Sequence, residues 1–225
     1  DTGARLDTLN LPFEPSHVDW SPDGSMIALS RVGIHQTSQR PFNCGISLLR
    51  ANATGFAEPE TLVPIAPGRN RFNPAFAPDS SFLVFSEALC PDGDETNWEC
   101  DGDADRPAKT WAVLPRIDAT PTLLGRAAAP GIEDGDNTDL SDTFARFSPF
   151  IKKQRDGHLM WVTISSRRQF GLRDPEDRQE LWMFAVDPAK VRAGQDGSYP
   201  AFYIPYQDFA TSNHIAMWTY ELVRD

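Results

Sequence analysis

The segment Trp20-Ser21-Pro22-Asp23-Gly24 returns as Phe76-Ala77-Pro78-Asp79-Ser80 and, shortened, as Phe147-Ser148-Pro149-Phe150. Internal similarity of this kind constrains a chain more than composition does. Each copy is one supersecondary unit that cannot bury its apolar face alone and must stack on its neighbours. In each copy an aromatic residue and a small one precede Pro, whose ring presets φ for a turn. Asp-Gly or Asp-Ser then completes that turn.

An apolar strand is expected after every turn: Met26-Ile27-Ala28-Leu29-Ser30, then Phe82-Leu83-Val84-Phe85-Ser86. The third, Leu159 to Ser165, comes later because Ile151 to Gly157 read as a polar insertion. Apolar residues stand on both sides of these runs, as in strands covered on two faces. A second strand follows at Gly45 to Leu49, Thr110 to Leu114 and Leu181 to Val186, and a short one at Thr61 to Val63, Pro121 to Leu124 and Ala201 to Ile204. Each unit therefore predicts a small four-stranded antiparallel sheet. Helical signals reduce to single turns near 175–180 and 188–192, with no 3.6-residue apolar period. The chain is expected to be all-β.

Aromatic-Ser-Pro-Asp-Gly, an apolar strand, Ser, a loop and a second apolar strand ending near Asp together resemble the TolB-type (WD-like) β-propeller repeat, which also occurs in the propellers of prolyl-oligopeptidase-like proteins. The resemblance implies an all-β propeller of four-stranded antiparallel blades, at about 14–66, 70–126 and 142–206, with 207–225 a closing strand or partial blade that starts at Asn213 to Trp218. Three blades and a fragment do not close a ring. The propeller is thus expected to be incomplete, the C-terminal part of a longer one or an arc covered by partner subunits.

Composition narrows the setting. The 225 residues are 40% apolar with 14 Phe and 6 Trp, enough for a substantial core. A net charge of −11 repels phosphate, so nucleic acid is not an expected partner. No apolar run reaches the ~20 residues of a transmembrane helix, so no transmembrane segment is expected. Cys90 and Cys100 flank a polar, Asp-rich loop and are read as a local disulfide of an exported protein, with two reduced surface thiols of a cytosolic one as the alternative, and Cys44 is left over; the resemblance implies a bacterial protein, periplasmic or extracellular.

Two acidic stretches are candidate cation sites, through Asp92, Asp94, Asp101, Asp103 and Asp105, and through Asp134, Asp136 and Asp139 with Asp142 nearby. Clustered carboxylates without soft ligands suit Ca²⁺, the one cofactor considered. A solvated loop held by the disulfide is the competing reading of the first, and ordinary turn chemistry of the second. No Gly-x-Ser-x-Gly elbow, His-Glu-x-x-His motif or phosphate loop occurs, and His17, His35, His158 and His214 lack ligand spacing. Among the late aromatics, Phe202 and Trp218 are expected in the core, and Tyr206 and Phe209 at a partner-binding surface. The expectation is a non-enzymatic binding or scaffold propeller that mediates protein–protein contacts as a subunit of a larger assembly. The alternative is the propeller portion of a hydrolase or lyase whose catalytic part lies elsewhere.

Overall fold

The computed structural model describes residues 9–34, 41–90, 93–94, 100, 108–128, 141–168 and 178–219. It is all-β, with three antiparallel sheets and one short helix. The first sheet runs β1 (Pro15–Trp20), β2 (Met26–Arg31), β3 (Gly45–Asn52), with β4 (Gly55–Phe56) and β5 (Glu60–Val63) both paired to β3. The second runs β6 (Arg69–Phe76), β7 (Leu83–Leu89), β8 (Ala108–Val113), β9 (Thr122–Leu123). The third runs β10 (Thr143–Gln154), β11 (Gly157–Ser166), β12 (Glu180–Val186), β13 (Phe202–Tyr203). Strands follow chain order within each sheet, so every connection is local.

The predicted apolar strands are thus the second and third of each sheet. Missing from the sequence reading is the strand that leads into each aromatic-Pro turn: β1, β6 and β10. These mix polar and apolar residues, PSHVDW in β1 and RNRFNPAF in β6, and give no clean alternation. Residues 151–157 are a further correction. They are not an insertion between elements but a hairpin, in which Ile151 to Gln154 of β10 pair with Met160 to Gly157 of β11.

All three leading strands carry the same distortion. His17, Asn73 and Phe144 have φ of 38°, 51° and 52°, and each lies three residues before the motif aromatic, Trp20, Phe76 or Phe147. Register slips at the same point, between Ser16 and Val18, Phe72 and Ala75, and Thr143 and Arg146. Beyond the slip, Ser16, Phe72 and Thr143 oppose Ser30, Ser86 and Ser165, the serines of the repeated apolar strands. A bulge of this kind bends the strand and re-aims the side chains after it.

The sheets stack face to face. Met26, Ala28, Ile46 and Leu48 of the first meet Phe76, Leu83, Phe85 and Val113 of the second. The opposite face of the second, Val84 and Ala112 with Phe82, meets Ala145, Met160, Val162, Ile164 and Phe184 of the third. Phe82, Phe85 and Phe184 are fully buried, and a large apolar side chain so placed contributes about 1.5–3 kcal/mol. Backbone bonds repeat at the junctions: Arg71 N–H donates to Cys44 O at 3.2 Å, and Asp142 N–H to Ala108 O at 3.0 Å.

Side chains tie the same junctions. Arg168 donates to both carboxylate oxygens of buried Asp142 at 2.6 Å and to Ala127 O at 2.9 Å, and its guanidinium lies 5.1 Å from the Trp182 ring. Within the second sheet, Glu87 of β7 is held by Arg69 and Arg71 of β6, the latter at 2.7 Å. Asn70 accepts from Cys44 N–H and donates to Pro41 O and Cys100 O. The helix α1 (Pro188–Arg192) forms as the turn chemistry suggests, with Pro at its start and Asp187 capping the Ala189 N–H at 2.9 Å. No helix among the described residues is long and apolar enough to cross a membrane.

Candidate functional site

The repeated turns come first, because they place the site. In the first, the Ser21 and Ser25 hydroxyls and the Ser25 N–H all donate to Asp23 Oδ1 at 2.7–2.9 Å. Ser21 Oγ then accepts from Met26 N–H at 2.8 Å, and Gly24 takes φ +72°. These donors, the Ser25 N–H foremost, hold the Asp23 carboxyl down at about 2. In the second copy Asp79 receives the Ser81 N–H and hydroxyl, and Ser80 stands at φ 60° in the place of Gly24. The Ser80 hydroxyl accepts from Asp23 N–H at 3.2 Å, so neighbouring turns are joined.

With the turns fixed and the leading strands bent alike, the residues before the three aromatics, Asp19, Ala75 and Arg146, converge. They line one cleft of about 230 Å³ together with Trp20, Pro22, Phe76, Pro78, Phe147, Ser148 and Pro149. Equivalent positions of all three units therefore meet at one place. Asp19 Oδ2 accepts from Phe76 N–H at 2.6 Å, across the first junction. Burial pushes its carboxyl above the ordinary value, against the pull of the Phe76 N–H and the charge of Arg146. Phe147 meets Phe82 edge-on at 5.6 Å, and Trp20, 55% exposed, meets Phe56 edge-on at 5.8 Å. The cleft thus offers one carboxylate, one guanidinium and apolar walls. That arrangement suits a polar group carried on an apolar or aromatic ligand.

Neither Asp19 nor Arg146 was singled out by sequence. The signal was there, since both stand one residue before a motif aromatic, but it has meaning only once a strand is assigned ahead of the turn.

The predicted sites fare differently. Cys90 and Cys100 form a disulfide with Cα atoms 4.8 Å apart, and Cys44 is a buried thiol outside it that donates to Phe42 O. Of the acidic candidates, Asp94 is described and exposed; Asp92, Asp101, Asp103, Asp105, Asp134, Asp136 and Asp139 lie outside the described residues. No group of three or more metal-ligating side chains occurs among the described residues. Asp142, placed beside the second cluster by sequence, is instead committed to Arg168 and buried in a sheet junction. Tyr206 is fully exposed at φ 69°, whereas Phe209 stacks on Tyr203 with centroids 5.6 Å apart. Phe202, expected in the core, is 43% exposed and touches Trp161 edge-on, because β13 is an edge strand.

Fold and cleft define an all-β protein of three like sheets whose equivalent turns share one binding-type hollow. No family model matches the sequence, and no curated protein does. Among solved structures, Kuenenia stuttgartiensis hydrazine synthase is similar at 11% identity and a TM-score of 0.36. The match covers 84% of this chain and 58% of that one. A likeness this distant carries no argument for fold or function.

Proposed function

We propose that the three sheets are blades of an open, propeller-like arc, and that the protein is a non-enzymatic binding or scaffold module of the bacterial envelope or exterior. It makes protein–protein contacts within a larger assembly. The observation that carries this reading is the meeting of Asp19, Ala75 and Arg146, one equivalent position from each unit, in one cleft beside half-exposed Trp20. Aromatic and Arg side chains around a small concave site are the usual anchors of protein recognition. The Cys90–Cys100 disulfide supports an oxidising compartment.

A hydrolase or lyase is supported less well. Acid–base chemistry of that kind commonly pairs two carboxylates, and among the described residues Asp19 is the one carboxylate lining the cleft, already holding the Phe76 N–H and within the field of Arg146.

The test is a photo-crosslinking amino acid placed at Trp20 in the native host, with Leu9 as an exposed control site. The expected result is a discrete protein adduct from position 20, absent at position 9 and reduced when Arg146→Ala is added. Equal adducts at both positions, or none at position 20, would overturn the reading.

A further inference from the structure

Beyond the third sheet the chain repeats its own geometry once more. Ile215 has φ 56° and lies three residues before Trp218, the spacing of His17 to Trp20, Asn73 to Phe76 and Phe144 to Phe147. The backbone junction recurs as well. Cys44 and Ala108 each lie two residues before the partner of a repeat serine, Ile46 opposite Ser30 and Thr110 opposite Ser86. Gln179 lies two before Leu181, the partner of Ser165. Arg71, Asp142 and Asn213 each stand two residues before the positive-φ residue, and they donate to Cys44, Ala108 and Gln179 respectively, Asn213 at 2.7 Å. Asn213 Nδ2 also donates to Glu180, Ile215 N–H to Ser165 Oγ, and Trp218 Nε1 to Thr163 Oγ1. Residues 213–218 are thus docked on the third sheet as β6 is on the first and β10 on the second.

One element differs. β1, β6 and β10 each pair with the apolar strand that follows their turn, whereas no strand pairs with residues 213–219 among the described residues. The segment Asn-His-Ile-Ala-Met-Trp carries no Lys, Asp, Glu or Pro, the residues that blunt natural sheet edges. Two of its apolar side chains are exposed, Met217 at 82% and Ile215 at 38%.

We propose that residues 213–219 are the leading strand of a fourth unit, and that their open edge binds an antiparallel β-strand of the apolar, serine-containing type seen in β2, β7 and β11. The occupant follows from continuity with an interface built three times in this molecule. Each time, an apolar strand supplies the ladder and its Ser (Ser30, Ser86 or Ser165) opposes the residue before the bulge. The proposal rests on this equivalence and not on the Asp19 cleft, so the two stand or fall separately.

The backbone groups involved can be named. In the first unit Ser21 N–H donates to Met26 O, and two residues back Asp19 opposes Ala28. Antiparallel ladders alternate, so Asp19 is again a residue that directs its N–H at the partner strand. Met217, one before the aromatic, stands at the place of Asp19 and directs its N–H at the open edge. Met217→Pro removes that donor, while Met217→Thr keeps it.

The experiment uses a fluorescent peptide of residues 25–32 (Ser-Met-Ile-Ala-Leu-Ser-Arg-Val), a scrambled peptide, and amide hydrogen exchange of the full chain. The native peptide is expected to bind by fluorescence anisotropy and to slow exchange across 213–219, and the scrambled one to do neither. Met217→Pro is expected to weaken binding roughly tenfold, as one unmade backbone bond would, with Met217→Thr close to wild type. Both variants are first shown to keep the wild-type circular dichroism. No protection of 213–219 at saturating peptide would overturn the proposal. So would equal binding of the scrambled peptide, or a dimer in which these amides are already protected without peptide.

Discussion

Two aspartates four residues apart respond to pH in opposite senses. Asp23 is held at about 2 by the Ser25 and Ser21 donors, below the ordinary 3.8. A carboxyl lowered in the folded state contributes stability above its unfolded value, and that contribution is lost as pH falls from about 3.8 toward 2. Asp23 lies at the surface, so the effect is small. Asp19 is raised by burial, so the folded protein binds its proton more tightly than the unfolded chain. Its ionised form opposes folding at neutral pH, and that opposition is relieved as pH falls through the raised value toward 3.8. Melting temperatures of wild type, Asp23→Asn and Asp19→Asn between pH 7 and 2 separate the two. Asp23→Asn is expected to flatten the loss at the acid end, and Asp19→Asn to remove the gain that precedes it. Identical profiles for all three would contradict both assignments. The turn around Asp23 was legible in sequence because Ser-Pro-Asp-Gly specifies its own local bonds. Asp19 was not, because its partners Phe76 and Arg146 are distant in the chain and belong to other sheets.

At the scale of elements, the repeated bulge has a local cost. Asn73 takes φ 51°, and both its buried side-chain polar atoms lack partners. A left-handed conformation costs a non-glycine residue about 1 kcal/mol, and an unpartnered buried amide about 1–3. Asn73→Gly is therefore expected to stabilise the protein by about 1 kcal/mol in urea unfolding, and Asn73→Ala, which sheds the amide but keeps a Cβ at that φ, to stabilise it less. A destabilising Gly variant would mean that the side chain contributes a contact the bulge needs. The Asp142–Arg168 pair predicts the reverse sign. Arg168→Ala strands a buried carboxylate next to Ala127 O and the Trp182 ring, and is expected to cost about 3–5 kcal/mol. An Arg168→Met, Asp142→Asn double variant should lose less than the single truncation, since no charge is left unpaired. The strands that hold these groups were legible only in part. β2, β7 and β11 are continuous apolar runs and declare themselves. β1, β6 and β10 carry bulges and polar side chains, so no period of two survives in their sequence. The 151–157 hairpin was hidden for the same reason: Lys152, Lys153 and Gln154 read as loop residues but lie exposed on paired strands that extend past the core.

Among the described residues the three sheets stack with one large apolar core between each adjacent pair. The fully buried Phe85 belongs to the core between the first and second sheets, and the equally buried Phe184 to the core between the second and third. In a nearest-neighbour stack, stability is a sum of unit and interface terms, and loss at one interface need not travel to the other. Phe85→Ala and Phe184→Ala are each expected to cost about 3–5 kcal/mol, the usual cost of truncating a buried Phe. Their effects should be localised. Under native conditions Phe85→Ala should raise amide exchange in β2 and β3 more than in β11 and β12, and Phe184→Ala the reverse. The middle sheet shares both cores, so β7 and β8 should lose protection in either variant. Hydrogen bonds across both junctions oppose this separation, among them Asp23 N–H to Ser80 Oγ, Phe76 N–H to Asp19 and, from α1, Arg192 to Asp79 at 3.3 Å. Each is a single hydrogen bond or exposed ion pair, worth less than a buried phenyl ring, so the packing should dominate. Uniform loss of protection across all three sheets in either variant would show one cooperative body in place of a stack of units.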